Sequence, residues 1–209
     1  MVAGGSGARF GGAKQFAELR GRTLTEWSLA AASGVADGLV LVLPADVVDG
    51  ERPPVHAAGA DVVVAGGPTR AASVRAGLVA VPDDAAIVVV HDGARPLASP
   101  ALFAAVVDAV AGGADGAIPG VPVADTLKRV EDGAVRATLD RDDLVAVQTP
   151  QAFRADVLRR AHAQEADATD DAALVEALGA TVRVVPGDPR NIKVTDRRDL
   201  DVADALAGP

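Results

Sequence analysis

A chain of 209 residues with a net charge of −9 and no cysteine speaks against a disulfide framework, a thiolate metal site and the basic face that nucleic-acid binding demands. Aromatic residues make up only 2%, with no Tyr, which removes stacking platforms for single strands. Its longest apolar runs, such as AAIVVV, are strand-sized and far short of a membrane span, and no basic and apolar leader opens it, so no membrane partner and a cytoplasmic location are expected.

The chain opens on a glycine-rich stretch, VAGGSGARFGGAK (2–14), with Arg9 and Lys14 in it. Apolar strand-like runs then alternate with Ala/Leu-rich helical ones. TLTEWSLAAAS (23–33) reads as a helix, GLVLVLP (38–44) and DVVVAGG (61–67) as buried strands, and TRAASVRAGLVAV (69–81) as the next helix. AIVVVHDGARP (86–96) is a third strand, and SPALFAAVVDAVAG (99–112) a helix started by Ser99 as N-cap with Pro100 at its first position. GAIPGVPV (116–123) is a fourth strand. Near-continuous Val/Ile runs predict strands covered on both faces, hence an α/β three-layer sandwich with a mostly parallel central sheet. Nothing marks a linker or a repeat, so residues 1–209 are expected to form a single domain.

TLKRVEDGAVRATLDR (126–141) breaks the rhythm. Asp132-Gly133 between alternating apolar and charged residues is a hairpin signal with a type I′ turn. The segment is too polar for the main sheet and is expected to project as an arm, inserted over about residues 124–147. A long edge is usually covered, which makes a homodimer one explanation and a solvated hairpin on a monomer the other. Further on, Thr169 in ATDDAAL reads as a helix N-cap, and Lys193 in RNIKVTDRRDL precedes a helix that Thr195 or Asp196 can cap.

In open α/β sheets ligands bind beyond the carboxyl ends of strands, which selects four segments: the opening loop, AGGPTRAAS, HDGARP and GDPRNIKVT. The opening loop fails the dinucleotide fingerprint, which wants glycine at Phe10, and the Walker A pattern, which wants lysine at Ala13. What remains is a backbone able to cradle phosphate, with Arg9 and Lys14 nearby. Only three of the 20 basic residues are lysines, Lys14, Lys128 and Lys193, in a chain that otherwise uses arginine. An ammonium is a point charge suited to a single phosphoryl oxygen, so Lys14 and Lys193 are candidate site residues. Gly66-Gly67 lets backbone approach a base or sugar, with Ser73 offering a hydroxyl. Asp92 ends a strand and is placed to hold a phosphate-bound Mg²⁺, unless it simply pairs Arg95. His91 is expected to be packed rather than catalytic, and His56, His91 and His162 are too scattered for a metal cluster.

Taken in order, AGGSGARFG…KQF, GGPTRAASV, VVVHDGARP, VADTLKRV, LDRDDLVAVQTPQAF, ATDDAALVEALG and NIKVT resemble the 2-C-methyl-D-erythritol 4-phosphate cytidylyltransferase family over nearly the whole chain. The resemblance implies a Rossmann-like nucleotidyltransferase body that joins CTP to a polyol phosphate with a divalent cation, Mg²⁺. It implies that Arg9 and Lys14 meet the triphosphate, that the backbone around Ala3, Gly4, Gly5 and Gly67, with Ser73, recognises cytosine, and that Asp92 holds the metal. Lys193 would face the α-phosphate, with Arg95 and Thr169 around the polyol phosphate. Thr126 and Arg141 would reach the partner subunit's site from the arm of a homodimer. Three departures stand out: Ala13 where the family has proline, Ala8 where it has threonine, and only Met1 and Val2 where it has a central strand. That strand is expected either to begin upstream of Met1 or to be cut to a stub. Rival readings are a cytidylyltransferase for ribitol 5-phosphate and a nucleotide-binding module without catalysis.

Overall fold

Four Val/Ile/Leu-rich runs set the frame, because each can bury both faces only between helices. The computed structural model describes residues 1–5, 7, 9–49 and 59–208. In chain order they form β1 (Glu18–Leu19), β2 (Arg22–Thr23), α1 (Leu24–Ala32), β3 (Val40–Leu43), α2 (Ala45–Val48), β4 (Val62–Ala65), α3 (Arg70–Val79), β5 (Ile87–Val90) and α4 (Pro100–Ala111). Then come β6 (Gly116–Pro122), β7 (Lys128–Glu131), β8 (Ala134–Thr138), β9 (Val145–Val147), β10 (Gln151–Arg154), α5 (Ala155–His162), α6 (Asp171–Glu176), β11 (Val182–Pro186) and α7 (Arg197–Leu206).

The central sheet is mixed. β3 pairs β4 in parallel and β6 pairs β11 in parallel, while β10 runs antiparallel between β5 and β6. β9 adds a further antiparallel pairing to β6. The sequence reading missed β10, because TPQAF is short and polar; yet Gln151 is 1% exposed and Phe153 fully buried.

Met1–Ala3 join the β3–β4 pair to the rest. The Val2 amide donates to the His91 carbonyl at 2.8 Å, Gly93 donates back to Val2 at 2.9 Å, and Ala3 donates to Val42 at 2.8 Å. Val2 thereby bridges Val42 and Asp92, both in parallel. The opening glycine loop therefore leaves from the middle of the sheet, between β3 and β5.

Helices cover both faces. Val88 and Val90 of β5, Ile118 of β6 and Phe153 of β10 pack with Val74 of α3, Leu158 of α5 and Val175 of α6. On the other face Ala117 and Ala152 pack with Val106 and Val110 of α4. Helix starts follow the local chemistry: Ser99 caps α4 with Pro100 at its first position, Thr69 caps α3, and Asp196 caps α7 in a capping box with Asp199. One expectation is corrected here. The N-cap of α6 is Asp170, whose carboxylate accepts the Ala173 amide, and Thr169 lies one residue outside it. Of two consecutive cap-forming residues, the one whose oxygen reaches the third amide onward serves, and here that is the acid.

Among the described residues, β7 and β8 form a two-stranded hairpin that pairs with no other strand. Asp132 and Gly133 both take positive φ (51° and 74°), as a type I′ turn requires. No helix among the described residues is long and apolar enough to cross a membrane.

Candidate active site

The opening loop is shaped by its own backbone. The Gly7 carbonyl accepts the amides of Phe10, Gly11 and Gly12 at 2.9, 3.0 and 3.3 Å, so the chain curls over this one residue. Gly7 has φ +66°, and a Cβ there would lie 1.8 Å from the Gly12 carbonyl oxygen; no other residue fits. Phe10 is buried beneath the Arg197 guanidinium, 5.3 Å from its ring centroid, which pins the loop to α7. Arg9 stands exposed on the turn. Lys14 starts a short 3₁₀ turn and donates from Nζ to the Val194 carbonyl at 2.9 Å, tying the loop to the NIKVT segment. Burial, and then repulsion from Lys193, lowers the Lys14 ammonium below its ordinary range. Ala8, one of the three departures from the family pattern, lies outside the described residues, as does His56.

Beside this loop the turn after β4 comes close. A Cβ on Gly4 would meet Ser73 Oγ at 3.2 Å, one on Gly66 would meet the same atom at 2.9 Å, and one on Gly67 would meet Ala72 Cβ at 2.5 Å. Ser73 Oγ itself donates to the Gly67 carbonyl at 3.3 Å. The structure thus gathers Ala3, Gly4, Gly67 and Ser73 into one close-packed backbone junction. Gly5 lies next to it with open space above its Cα.

Asp92 is the electrostatic hub. Its amide donates to Thr149 Oγ1 at 3.0 Å, which fixes the backbone at the end of β5. Oδ1 accepts Arg70 Nε at 3.1 Å and Oδ2 accepts Lys193 Nζ at 2.6 Å. Burial opposes the carboxylate charge, but Arg70 and then Lys193 outweigh it and hold the Asp92 carboxyl well below the usual carboxylate range. Arg70 reaches further, to Asp171 Oδ2 at 2.7 Å, and Asp171 Oδ1 meets His162 Nε2 at 2.9 Å. The expected alternative for Asp92, a pair with Arg95, does not form. Arg95 donates instead to the Asn191 carbonyl at 2.7 Å, and burial lowers its guanidinium pKa.

His91 is packed, as its apolar strand setting suggests. It is 1% exposed, and its ring lies 5.0 Å from that of Phe103. The Arg95 carbonyl can only accept, so Nε2 carries the proton in that 3.2 Å bond. Nδ1 is then an acceptor, and Thr149 Oγ1 donates to it at 3.1 Å. Burial pushes His91 down to a pKa of about 3, so the ring is neutral.

These groups border a cavity of about 230 Å³ lined by Arg70, Asp92, Arg95, Gln148, Thr149 and Lys193, with Val147, Gln151, Thr169 and Asp170 completing it. A larger cavity of about 340 Å³ lies under the glycine loop, between Phe10, Phe16 and Leu200, and among the described residues its charged lining is Glu18 and Arg197. The smaller one, with five charged residues and several polar ones, is the candidate site. Three of its lining residues, Arg70, Arg95 and Gln151, each carry a buried polar atom without a partner, which suits a ligand rather than a sealed core.

The candidates from sequence therefore divide. Asp92, Arg95, Thr169 and Lys193 line one cavity, with Lys14 close enough for its charge to feel Lys193 and Asp92. Thr126 and Arg141 do not line it. Both are exposed near the base of the hairpin, where Arg141 donates to the Ala124 carbonyl.

A family model for IspD, 2-C-methyl-D-erythritol 4-phosphate cytidylyltransferase, matches residues 1–208. The chain belongs to this family. The family's chemistry is nucleotidyl transfer, and its members are enzymes. A relative named 2-C-methyl-D-erythritol 4-phosphate cytidylyltransferase in Rhodococcus jostii is 46% identical over 212 residues, covering 99% of this chain and 92% of the relative. The crystal structure of the Thermus thermophilus cytidylyltransferase superposes with a TM-score of 0.83 at 41% identity, covering 99% of this chain and 96% of that one. The crystal structure of the 4-diphosphocytidyl-2C-methyl-D-erythritol synthase of Anaerococcus prevotii gives a TM-score of 0.84 at 31% identity, covering 99% and 95%.

Seen as an IspD-family site, the cavity contains groups that the sequence reading left unassigned. Arg70 carries no signal of its own in the sequence; its two carboxylate partners lie 22 and 101 residues away, so no local pattern could expose it. Gln148, Thr149 and Gln151 sit in and beside the TPQAF stretch, whose specificity was visible but whose polar side chains carry no local signal of burial. Asn191 is fully buried and bridges Gln148 Oε1 and the Thr149 carbonyl at 3.3 and 2.8 Å.

Proposed function

We propose that the chain transfers the cytidylyl group of CTP to 2-C-methyl-D-erythritol 4-phosphate, giving 4-diphosphocytidyl-2-C-methyl-D-erythritol and pyrophosphate. The observation that carries this reading is the convergence of Asp92, Lys193, Arg95 and Thr169 on one cavity beside Lys14, in a chain of this family. An oxygen of the polyol phosphate attacks the α-phosphorus in line, the bond from that phosphorus to the β-phosphate bridging oxygen breaks, and pyrophosphate leaves with the electron pair. No side chain acts as nucleophile; positioning and charge neutralisation supply the catalysis.

In this reading Ala3, Gly4, Gly5, Gly67 and Ser73 bind the cytosine end, where backbone can approach most closely. Arg9 and Lys14 neutralise the departing pyrophosphate. Lys193 sits at the reacting α-phosphate, and Arg95 and Thr169 hold the polyol phosphate. Lys193 already bonds a carboxylate oxygen at 2.6 Å, so a phosphoryl oxygen of similar charge can take its place. Mg²⁺ fits as well. Such an ion would be held by one or two carboxylates plus substrate phosphates, and Asp92 supplies an ionised carboxylate on the cavity wall. When bound there, the ion neutralises triphosphate charge.

The body is read as a single domain over 1–209, a Rossmann-like three-layer sandwich whose sheet is mostly parallel, with the arm inserted at about 124–147. The arm projects from it, and a second copy covers it. Thr126 and Arg141 then complete the partner's site, which accounts for their distance from the cavity of their own chain.

The test is pyrophosphate release from CTP with each acceptor in turn. Faster release with 2-C-methyl-D-erythritol 4-phosphate than with ribitol 5-phosphate supports the reading. Preference for the pentitol phosphate, or CTP binding without turnover, overturns it.

A further inference from the structure

Behind Asp92 lies a second layer of charge. Arg70, at the first turn of α3, divides its guanidinium between Asp92 Oδ1 at 3.1 Å and Asp171 Oδ2 at 2.7 Å. Asp171 is 1% exposed at the start of α6, and its other oxygen meets the buried His162. Asp92 and Asp171 together set two carboxylates against the two cations Arg70 and Lys193. Each Asp92 oxygen has one cation, Arg70 on Oδ1 and Lys193 on Oδ2.

We infer that Arg70 is a positioning residue: braced by Asp171, it holds Asp92 by one oxygen so that Lys193 can leave the other for a phosphoryl group. This rests on the roles proposed above for Asp92 and Lys193. The physical reason is competition. Lys193 is useful to substrate only if Asp92 releases it, and a carboxylate already shared with a guanidinium grips an ammonium less strongly. Without Arg70, Asp92 has Lys193 as its one remaining cation and Asp171 loses its guanidinium partner. Asp92 is then free to turn, Lys193 is retained, and an anionic substrate meets uncompensated negative charge. Lysine cannot replace Arg70, because a point charge does not span two carboxylates as a planar fork does.

The experiment is a double-mutant cycle of Arg70→Lys with Asp92→Asn, read by kcat and KM for CTP, with thermal unfolding as a check on folding. A residue that acts through Asp92 has nothing left to act on once Asp92 is neutral. We expect R70K alone to lower kcat by about 10- to 100-fold with KM for CTP changed by less than about threefold, and to cost no more than about twofold in the D92N background. Equal costs in both backgrounds show a general structural role and overturn the inference. So does an R70K enzyme with wild-type kcat while D92N is impaired, which leaves the Asp92 reading standing. Wild-type kcat in D92N removes the Asp92 assignment itself, and the brace with it. Asp171→Asn checks the same brace from behind: a lowered kcat in a folded protein supports it, and an unchanged kcat opposes it.

Discussion

The cavity around Asp92 and the β7–β8 hairpin are both rich in charge, yet they are built on opposite plans. In the cavity each cation has a carboxylate or carbonyl partner, the groups come from five separate stretches of chain, and Asp92 and Asp171 keep side-chain exposures of 10% and 1%. On the hairpin, pairs are local: Arg136 with Glu131 at 3.1 Å and Lys128 with Thr138 at 2.6 Å, with both cations and Glu131 exposed. Its apolar residues are exposed as well, Val130 by 57% and Val135 by 62%. The cavity is organised within one chain before substrate arrives, whereas the hairpin presents valines that gain only when something covers them. A pair in the first region is only weakly screened by solvent; one in the second is worth about 0–1 kcal/mol. Mutations should therefore act on chemistry in the cavity and on assembly at the hairpin.

The largest effect is expected from Lys193→Ala. In the proposed role it removes a charge needed most in the transition state, so kcat should fall by about 100- to 1,000-fold while KM for CTP changes by less than about threefold. Steady-state kinetics with both substrates separate the two constants. A change confined to KM would assign Lys193 to ground-state binding and weaken the contrast between the regions.

Next in size is a complementation test at the hairpin. If Arg141 serves the partner's site, Arg141→Ala and Lys193→Ala homodimers should each be nearly inactive. Their mixture should recover about a quarter of wild-type activity, because each mixed dimer regains one intact site of its two. No recovery after subunit exchange, confirmed by sedimentation, would place Arg141 in its own chain's site or in none. Val130→Asp with Val135→Asp should shift the population towards monomer with little effect on the melting temperature of the body.

The two regions were also unequally legible. Strands β3 to β6 followed from Val/Ile runs, α4 from Ser99 and Pro100, and the hairpin from Asp132-Gly133, since each signal is local. The central sheet's antiparallel strand β10 escaped because its residues, Gln151 to Arg154, have no apolar run; their burial comes from β5 and β6 on either side. At Asp92 the alternative that sequence proximity offered, a pair with Arg95 three residues on, does not form; Arg70 and Lys193 hold it from 22 and 101 residues away. Candidates recognisable by type at a strand end, such as Asp92, were legible and do line the cavity. Those defined by a long-range partner were not.

A smaller effect is expected at the opening loop. Gly7→Ala places a Cβ against the Gly12 carbonyl at a positive φ, a strain of about 1–3 kcal/mol. The loop will open rather than bear it. If the loop binds the leaving group's phosphates, as proposed, the expected outcome is a several-fold rise in KM for CTP with kcat reduced less, since Lys193 remains in place. Titration calorimetry with CTP reads the binding loss directly; unchanged affinity would remove the loop from the triphosphate site.

The smallest effect on catalysis near neutral pH is the pH dependence written into the wall behind Asp92, which is read in stability instead. His91 has its pKa lowered from 6.5 to about 3 on folding, chiefly by burial. Between those values the unfolded chain carries a proton there that the folded chain does not. Stability is therefore lost as pH falls from about 6.5 towards 3, and is fully present above that window. Asp92 acts with the same sign over the carboxylate range, because Arg70 and Lys193 hold its pKa down against the opposing effect of burial. Urea midpoints measured against pH should fall through this window, and His91→Gln should flatten the upper part of the slope. Since Thr149 Oγ1 donates to His91 Nδ1 and accepts the Asp92 amide, protonating His91 also takes an acceptor from the hydroxyl that fixes the Asp92 backbone. In the hairpin, where Val130 and Val135 face solvent and charges pair locally, the same titration should leave assembly unchanged until its carboxylates protonate. A dimer that dissociates in step with His91 titration would show that the two regions are coupled, contrary to the division drawn from their burial.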